Sequence, residues 1–475
     1  MRVKRELDTL EAVSPLDGRY RHLIDDAARL FSEESLMKHR CKVEIEYLIA
    51  VLERALPERT RDIRPDWREQ LRSIYNEFEI EDAKAVKKLE EETRHDVKAL
   101  EMYLGGILRE RGLGGLSSLI HLCLTSEDVN NLAQSLMISE FMKSFYIPSI
   151  SDLLVRMAKL AVENEGTVML ARTHGQPATP TTLGRELAVY CYRIAKITEK
   201  AAKLRLHGKV GGAVGNLAAH RQALPKVDWL EFVRSFVEGL GLEAWPANTQ
   251  VIAHEYTSEL LSLLSLTCSL LSNLCRDLWL LSTLGYLYVL PRGVGSSTMP
   301  HKSNPVELEL AEGNFDFAAN ILNSMANRLL SSRLQRDLSD STIKRNYGVA
   351  LCHLLLGVRS LSNALDRISV DASRMEFELN SHAEVISEAY QVVLRIRGVE
   401  EAFEQMLEAV RGRKVDLEEM TKLAERLAPD EETLKKLMSI KPSEFIGYSK
   451  EQTEYLVRSC LEIIKGFNPN LTSPS

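Results

Sequence analysis

A helical repeat of apolar positions runs through most of the chain. Leucine- and alanine-rich amphipathic segments cover residues 128–145, 150–163, 184–206, 306–334 and 348–366, with apolar side chains recurring three or four residues apart. No alternation of strand type extends over a useful length, so the pattern predicts an all-α protein. Proline and glycine interrupt it at 104–115, 207–215, 245–247 and 291–305. The first interruption and the region after Asp366 divide the chain into three expected domains: an N-terminal helical domain (1–115), a central bundle of long helices (116–366) and a C-terminal helical domain (367–475).

One stretch departs from amphipathic patterning. Residues 260–275 carry no charge, and a second apolar run follows Arg276 and Asp277 as far as Leu290. A membrane span needs about 20 predominantly apolar residues and tolerates central charges poorly, so this is read as a buried helix of a large bundle. A helix apolar all round must be covered on every side, and other subunits are expected to supply part of that cover.

The composition agrees with a large soluble core: 45% hydrophobic and 27% charged residues over 475 positions, a length beyond what one core usually serves. The net charge of −7 and the scatter of lysine and arginine among acids speak against a nucleic-acid partner. Seven cysteines without C-x-x-C spacing indicate neither a disulfide framework nor a zinc knuckle. The opening MRVKRELDTLEAV has acids where a signal peptide would be apolar, and the expected location is the cytoplasm, away from membranes.

Five polar clusters stand out against this background. GSSTMPHKSNP (295–305) combines Ser296, Ser297, Lys302 and Asn304 in a stretch without hydrophobic period. Such a loop can hold oxyanions on hydroxyls and backbone N–H groups, although an ordinary polar connection explains it equally well. RTHGQPATP (172–180) carries His174, which alone is more often a structural hydrogen-bonding residue than an acid or base. His95-Asp96-Val97-Lys98 is a third cluster, and Thr125-Ser126-Glu127-Asp128 a fourth that also reads as a helix N-cap. RLQRDLSDSTIKRN (333–346) interleaves Arg333, Arg336, Lys344 and Arg345 with Ser339, Ser341 and Thr342. That density of donors suits a phosphate or dicarboxylate, with a solvated charged face as the bland alternative. DGRY (17–20) adds Arg19 beside Tyr20.

Several chemistries lack their motif. Neither a phosphate-binding G-x-x-x-x-G-K-[ST] nor a G-x-G-x-x-G is present, and GKVGGAVGN (208–216) spaces its glycines differently. The histidines show no metal-ligand spacing, and no G-x-S-x-G elbow occurs, so no metal and no cofactor are expected.

Taken together and in this order, the clusters resemble the fumarase/aspartase superfamily, whose signature loop G-S-S-x-M-P-x-K-x-N-P is matched at every fixed position. SPLDGRY, TSED, THGQPATP, His301 within MPHK and QRDLSDSTIKRN are similar, within that superfamily, to the adenylosuccinate lyases of the bacterial long form, over about residues 14–448. The resemblance implies a three-domain subunit with a central long-helix bundle and a homotetramer with a shared helical core. Its active sites would draw on three subunits.

The reaction it implies is elimination of fumarate from adenylosuccinate, giving AMP, and from SAICAR, giving AICAR. By motif position, Ser296 would be the general base and His174 the general acid. Substrate contacts would come from Arg19, Tyr20, Arg94, His95, Asp96, Thr125, Ser126, Gln250, Ser297, Lys302, Asn304, Arg336, Ser341, Thr342, Lys344 and Arg345. Position 94 is Arg where a smaller polar residue such as Asn is expected, and Leu310 stands where a relative has Asn. A serine hydroxyl is a poor base, so Lys302 and loop N–H groups are expected to stabilise its alkoxide, and the loop to close over substrate. Other lyases of the superfamily, a catalytically silent structural homologue and a nucleic-acid-binding helical protein are the alternatives.

Overall fold

The computed structural model describes residues 8–61, 63–290, 299 and 302–469. Helices dominate, and among the described residues strands are confined to three two-stranded ladders. The chain divides into two compact units.

The first unit comprises residues 1–148, 200–268 and 314–356. Its helix Glu33–Arg54 is started by Ser32, whose hydroxyl accepts from the Ser35 N–H at 3.1 Å. Cys41, Ile45, Leu48 and Leu52 recur at helical spacing on one face. They share a buried core with Leu71 and Ile74 and with Leu100, Leu104 and Leu108 of the helix Asp96–Glu110. The helix Ser126–Phe141 continues through a π-helical turn, Met142–Tyr146, into Ile147–Glu163. Sequence patterning treats these as two helices. The wider turn lies just before Pro148, whose ring and missing N–H disfavour a regular α-helical step.

The second unit comprises residues 149–199, 269–313 and 357–475. The 172–180 stretch, expected as a break between helices, is instead part of an antiparallel hairpin, Val168–Thr173 with Gln176–Thr182. The absence of strand pattern in the sequence is corrected here. Leu170 of the hairpin joins a core of Leu379, Ile386, Tyr390, Leu394, Met406, Met420 and Leu437.

Glu255–Thr283 is a helix of 29 residues. Leu260, Leu261, Leu264, Leu271, Leu274 and Leu278 are buried, whereas Leu266 and Leu280 are each 53% exposed. Its two central charges are both satisfied: Arg276 Nε donates to Glu312 Oε1 at 2.7 Å, and Asp277 accepts from the Tyr190 hydroxyl at 2.5 Å. This helix and the helical stretch Ser339–Leu365, made of Ser339–Lys344 followed by Tyr347–Leu365, are long and apolar enough to cross a membrane, yet 61% and 72% of their most apolar windows are buried inside the protein, as core helices are.

Candidate active site

The site in the first unit begins at the N-terminus of the helix Ser126–Phe141. Thr125 and Asp128 form a capping box, with the Thr125 N–H donating to Asp128 Oδ2 at 2.9 Å. Asp128 is fully buried and accepts in addition from Lys209 Nζ at 2.7 Å and from the N–H groups of Gly211 and Gly212 at 2.9 and 3.0 Å. The glycine-rich segment 208–216 is thus wrapped around a carboxylate of its own chain. Glycine is required where the backbones meet, because a Cβ on Gly215, at φ 88°, would lie 2.3 Å from the Thr249 carbonyl oxygen. In the same region the Gln250 side-chain amide donates to the Ala213 carbonyl at 2.7 Å.

Glu127, 1% exposed, points to the other side of the cap. Its two oxygens accept from Arg336 Nη1 at 2.9 Å and Lys344 Nζ at 2.7 Å, and the same ammonium lies 2.6 Å from Asp340 Oδ2. Burial alone would raise the Glu127 pKa, but the Lys344 and Arg336 cations outweigh it and hold the group at about 2. His254 lies beside them, and burial, with the Lys344 charge adding, lowers its imidazole to about 4, so it is neutral at pH 7. Ligand atoms of Glu127, His254 and Asp340 lie within 4.8 Å of one another, close enough to hold a metal ion. Lys344 contacts both carboxylates, so the positive charge this trio needs is supplied by the chain itself.

Above this layer lies a cleft of about 510 Å³, within the range of a nucleotide-sized ligand site. Arg40, Arg94, Arg336, Lys344 and Arg345 line it, against the three carboxylates Glu90, Asp96 and Glu127. The buried Arg40 guanidinium donates to Asn130 Oδ1 at 2.8 Å and pairs with Asp96 at 2.9 Å, and Arg345 reaches the same Asp96 oxygen at 3.4 Å. His95 caps the helix Asp96–Glu110, its Nδ1 accepting from the Lys98 N–H at 3.3 Å. Arg94 closes the preceding helix at φ 53°, the left-handed position that asparagine or glycine fills most easily. An excess of cations facing a helix N-terminus is an environment for a polyanion.

Of the residues expected from sequence, this cleft brings together Arg94, His95, Asp96, Thr125, Ser126, Gln250, Arg336, Ser341, Lys344 and Arg345. Thr342 is exposed on the same short helix, Ser339–Lys344. Arg19 stacks near its neighbour, 6.0 Å from the Tyr20 ring, in the turn preceding the helix Arg21–Leu30. None of Thr342, Arg19 and Tyr20 is among the lining residues of the cleft.

His174, Lys302 and Asn304 belong to the second unit. His174 is exposed at the tip of the hairpin, where it and Gly175 are the two turn residues, at φ 53° and 74°. Consecutive positive φ values are those of a type I′ turn, which matches the twist of a hairpin and accepts histidine better than most residues. Lys302 and Asn304 line a second cleft with Trp279, Tyr288 and Glu309. Ser296, Ser297 and His301 lie outside the described residues.

Arg40, Lys209 and His254 carry no role in the sequence reading, Asp340 lies inside the 333–346 cluster without one, and Glu127 and Asp128 read there as part of a cluster that also forms a helix N-cap. Spacing gives little signal for them, since the Glu127 partners lie 209 and 217 positions away. The one clue was two successive acids inside a cap followed by a long apolar helix.

Comparison with known proteins adds an independent line. Residues 18–316 match a family model described as lyase, and residues 332–446 match one described as adenylosuccinate lyase C-terminal. The adenylosuccinate lyase of Escherichia coli (strain K12) is 37% identical over 445 residues, covering 93% of this chain and 98% of that protein. That of Haemophilus influenzae is 36% identical over 455 residues, covering 95% and 100%. In fold, the chain is similar to 3-carboxy-cis,cis-muconate lactonizing enzyme from Pseudomonas putida, with a TM-score of 0.76 at 20% identity over 94% of this chain and 99% of that one. A fumarate lyase from Mesorhizobium sp. BNC1 gives a TM-score of 0.73, also at 20% identity, over 91% and 97%.

Proposed function

The chain belongs to the adenylosuccinate lyase family, and from that premise we propose how its residues carry out the reaction. It is a carbon–nitrogen lyase of purine biosynthesis, removing fumarate from adenylosuccinate to leave AMP and from SAICAR to leave AICAR. The observation that carries the reading is the convergence of Arg40, Arg336 and Arg345 on one cleft at the N-terminus of the helix Ser126–Phe141. Both substrates present a phosphate and two carboxylates, the groups such a cation-rich cleft accommodates.

In this reading Ser296 removes the carbon-bound proton next to a carboxylate, and His174 protonates the departing nitrogen. Charge moves onto that carboxylate as the proton leaves, so donors around it stabilise the carbanion-like intermediate. Lys302 and N–H groups of its loop stabilise the serine alkoxide. Arg19, Tyr20, Ser297, Asn304 and Thr342 complete the substrate contacts, together with the residues already in the cleft. The mechanism assigns every step to side chains and asks nothing of a metal or cofactor.

We assign the working form as a cytoplasmic homotetramer of three-domain subunits, in which His174, Ser296 and the cleft of any one site come from different subunits. The exposed apolar side chains of the long helix, Leu266 and Leu280, support burial against other copies. Mixing inactive Ser296→Ala protein with inactive His174→Asn protein tests this. Under subunit exchange, activity returns if sites are shared, and a mixture that stays inactive contradicts sharing.

A further inference from the structure

Glu127 is the most deeply buried ionised group facing the cleft, and it is too enclosed to be a substrate ligand. It instead joins the two ends of the recognition segment. Arg336 stands at the start of that segment and Lys344 near its end, and both are held by the same carboxylate, at 2.9 and 2.7 Å. Asp340, midway between them, binds Lys344 from the other side at 2.6 Å. The segment 336–344 is therefore tied at both ends to the cap of the helix Ser126–Phe141, which also carries Thr125 and Ser126.

We propose that Glu127 is a positioning residue for substrate binding. It acts through Arg336, whose guanidinium fork holds the buried carboxylate on one side and presents its remaining N–H groups to a substrate oxyanion on the other. The inference rests on the reading of the cleft as the nucleotide site. Arg336 is about one-fifth exposed while Glu127 is closed off, the geometry of a ligand-facing cation backed by a fixed anion. A free arginine would lose side-chain entropy when substrate binds, and a guanidinium already anchored has lost most of it beforehand. Lys344, 3% exposed, neutralises Glu127 without offering a second mobile cation.

Substrate binding should therefore weaken, with little change in the chemical step, when the anchor is removed. In Glu127→Gln, KM for adenylosuccinate should rise about tenfold while kcat stays within about threefold, the signature of lost uniform binding. A purely structural role would lower the active fraction, reducing apparent kcat at unchanged KM. The effect must also vanish in an Arg336→Met background, because the two residues act as one unit. Arg336→Lys, on the more exposed side of the pair, covers the case in which Glu127→Gln does not fold. An ammonium lacks the fork and should raise KM several-fold. Unchanged KM in a folded Glu127→Gln protein overturns the proposal, as do multiplicative effects in the double variant or wild-type KM in Arg336→Lys. If the unmodified protein fails to turn over adenylosuccinate, it is the reading of the site that fails.

Discussion

Asp128 and Lys209 form an ion pair of 2.7 Å in which both side chains are wholly removed from solvent. The two partners are not equivalent. Asp128 also accepts three backbone N–H groups, from Thr125, Gly211 and Gly212, whereas the Lys209 ammonium depends on the carboxylate. Asp128→Asn strands a buried cation and should cost about 3–5 kcal/mol, while Lys209→Met leaves the carboxylate its three donors and should cost less. Denaturant unfolding of the two variants checks the order. The reverse order would contradict the account.

Arg94 carries a conformational cost. At φ 53° a β-carbon is strained, and asparagine tolerates the position better. Arg94→Asn should raise stability by roughly 0.5–1 kcal/mol, and Arg94→Val should lower it. Thermal melts of the pair measure both signs.

The amphipathic helices of both units were legible because burial repeats at helical spacing along Cys41, Ile45, Leu48 and Leu52 and along similar stripes. The hairpin around His174 was not. Pro177 and Pro180 read against a strand, yet in a two-stranded ladder both strands are edges and their missing N–H groups cost little. Motif resemblance points to Arg336 and Arg345, but the carboxylates that hold them, Glu127 and Asp96, are joined to them only by the fold. The seam between Asp128 and Lys209 was hidden for the same reason, with the glycines of 208–216 shaped for a carboxylate rather than a phosphate.

Two buried histidines set a pH dependence. Burial lowers both His254 and His353 from an ordinary value of 6.5 to about 4. A depressed folded pKa means that the unfolded chain takes up the proton first. The stability of the neutral form is complete above pH 6.5 and is lost as pH falls from 6.5 towards 4, by about 2–3 kcal/mol for each histidine. Glu127, held at about 2, contributes its own loss below its ordinary value of 4.5. Melting temperatures between pH 7 and 4 should therefore fall, and His353→Gln should flatten the upper part of the curve. A wild-type slope in His353→Gln would show that this group does not titrate on unfolding.

His174 combines a turn conformation with a proposed proton transfer, and the two can be separated. Asparagine suits the positive φ of the turn and alanine does not. His174→Asn should melt like the unmodified protein while losing about 10²–10⁴-fold in kcat, and His174→Ala should lose activity similarly but melt lower. Equal stability of the two variants would argue against the strained turn, and full activity in His174→Asn would remove this residue as the acid.

Ultraviolet absorbance during incubation of the purified protein with adenylosuccinate tests the central claim most directly, run beside Ser296→Ala and His174→Asn proteins of confirmed fold. Conversion to AMP by the unmodified protein, with collapse of turnover in both variants, is the predicted result. An unmodified, correctly assembled protein that leaves adenylosuccinate intact would contradict it.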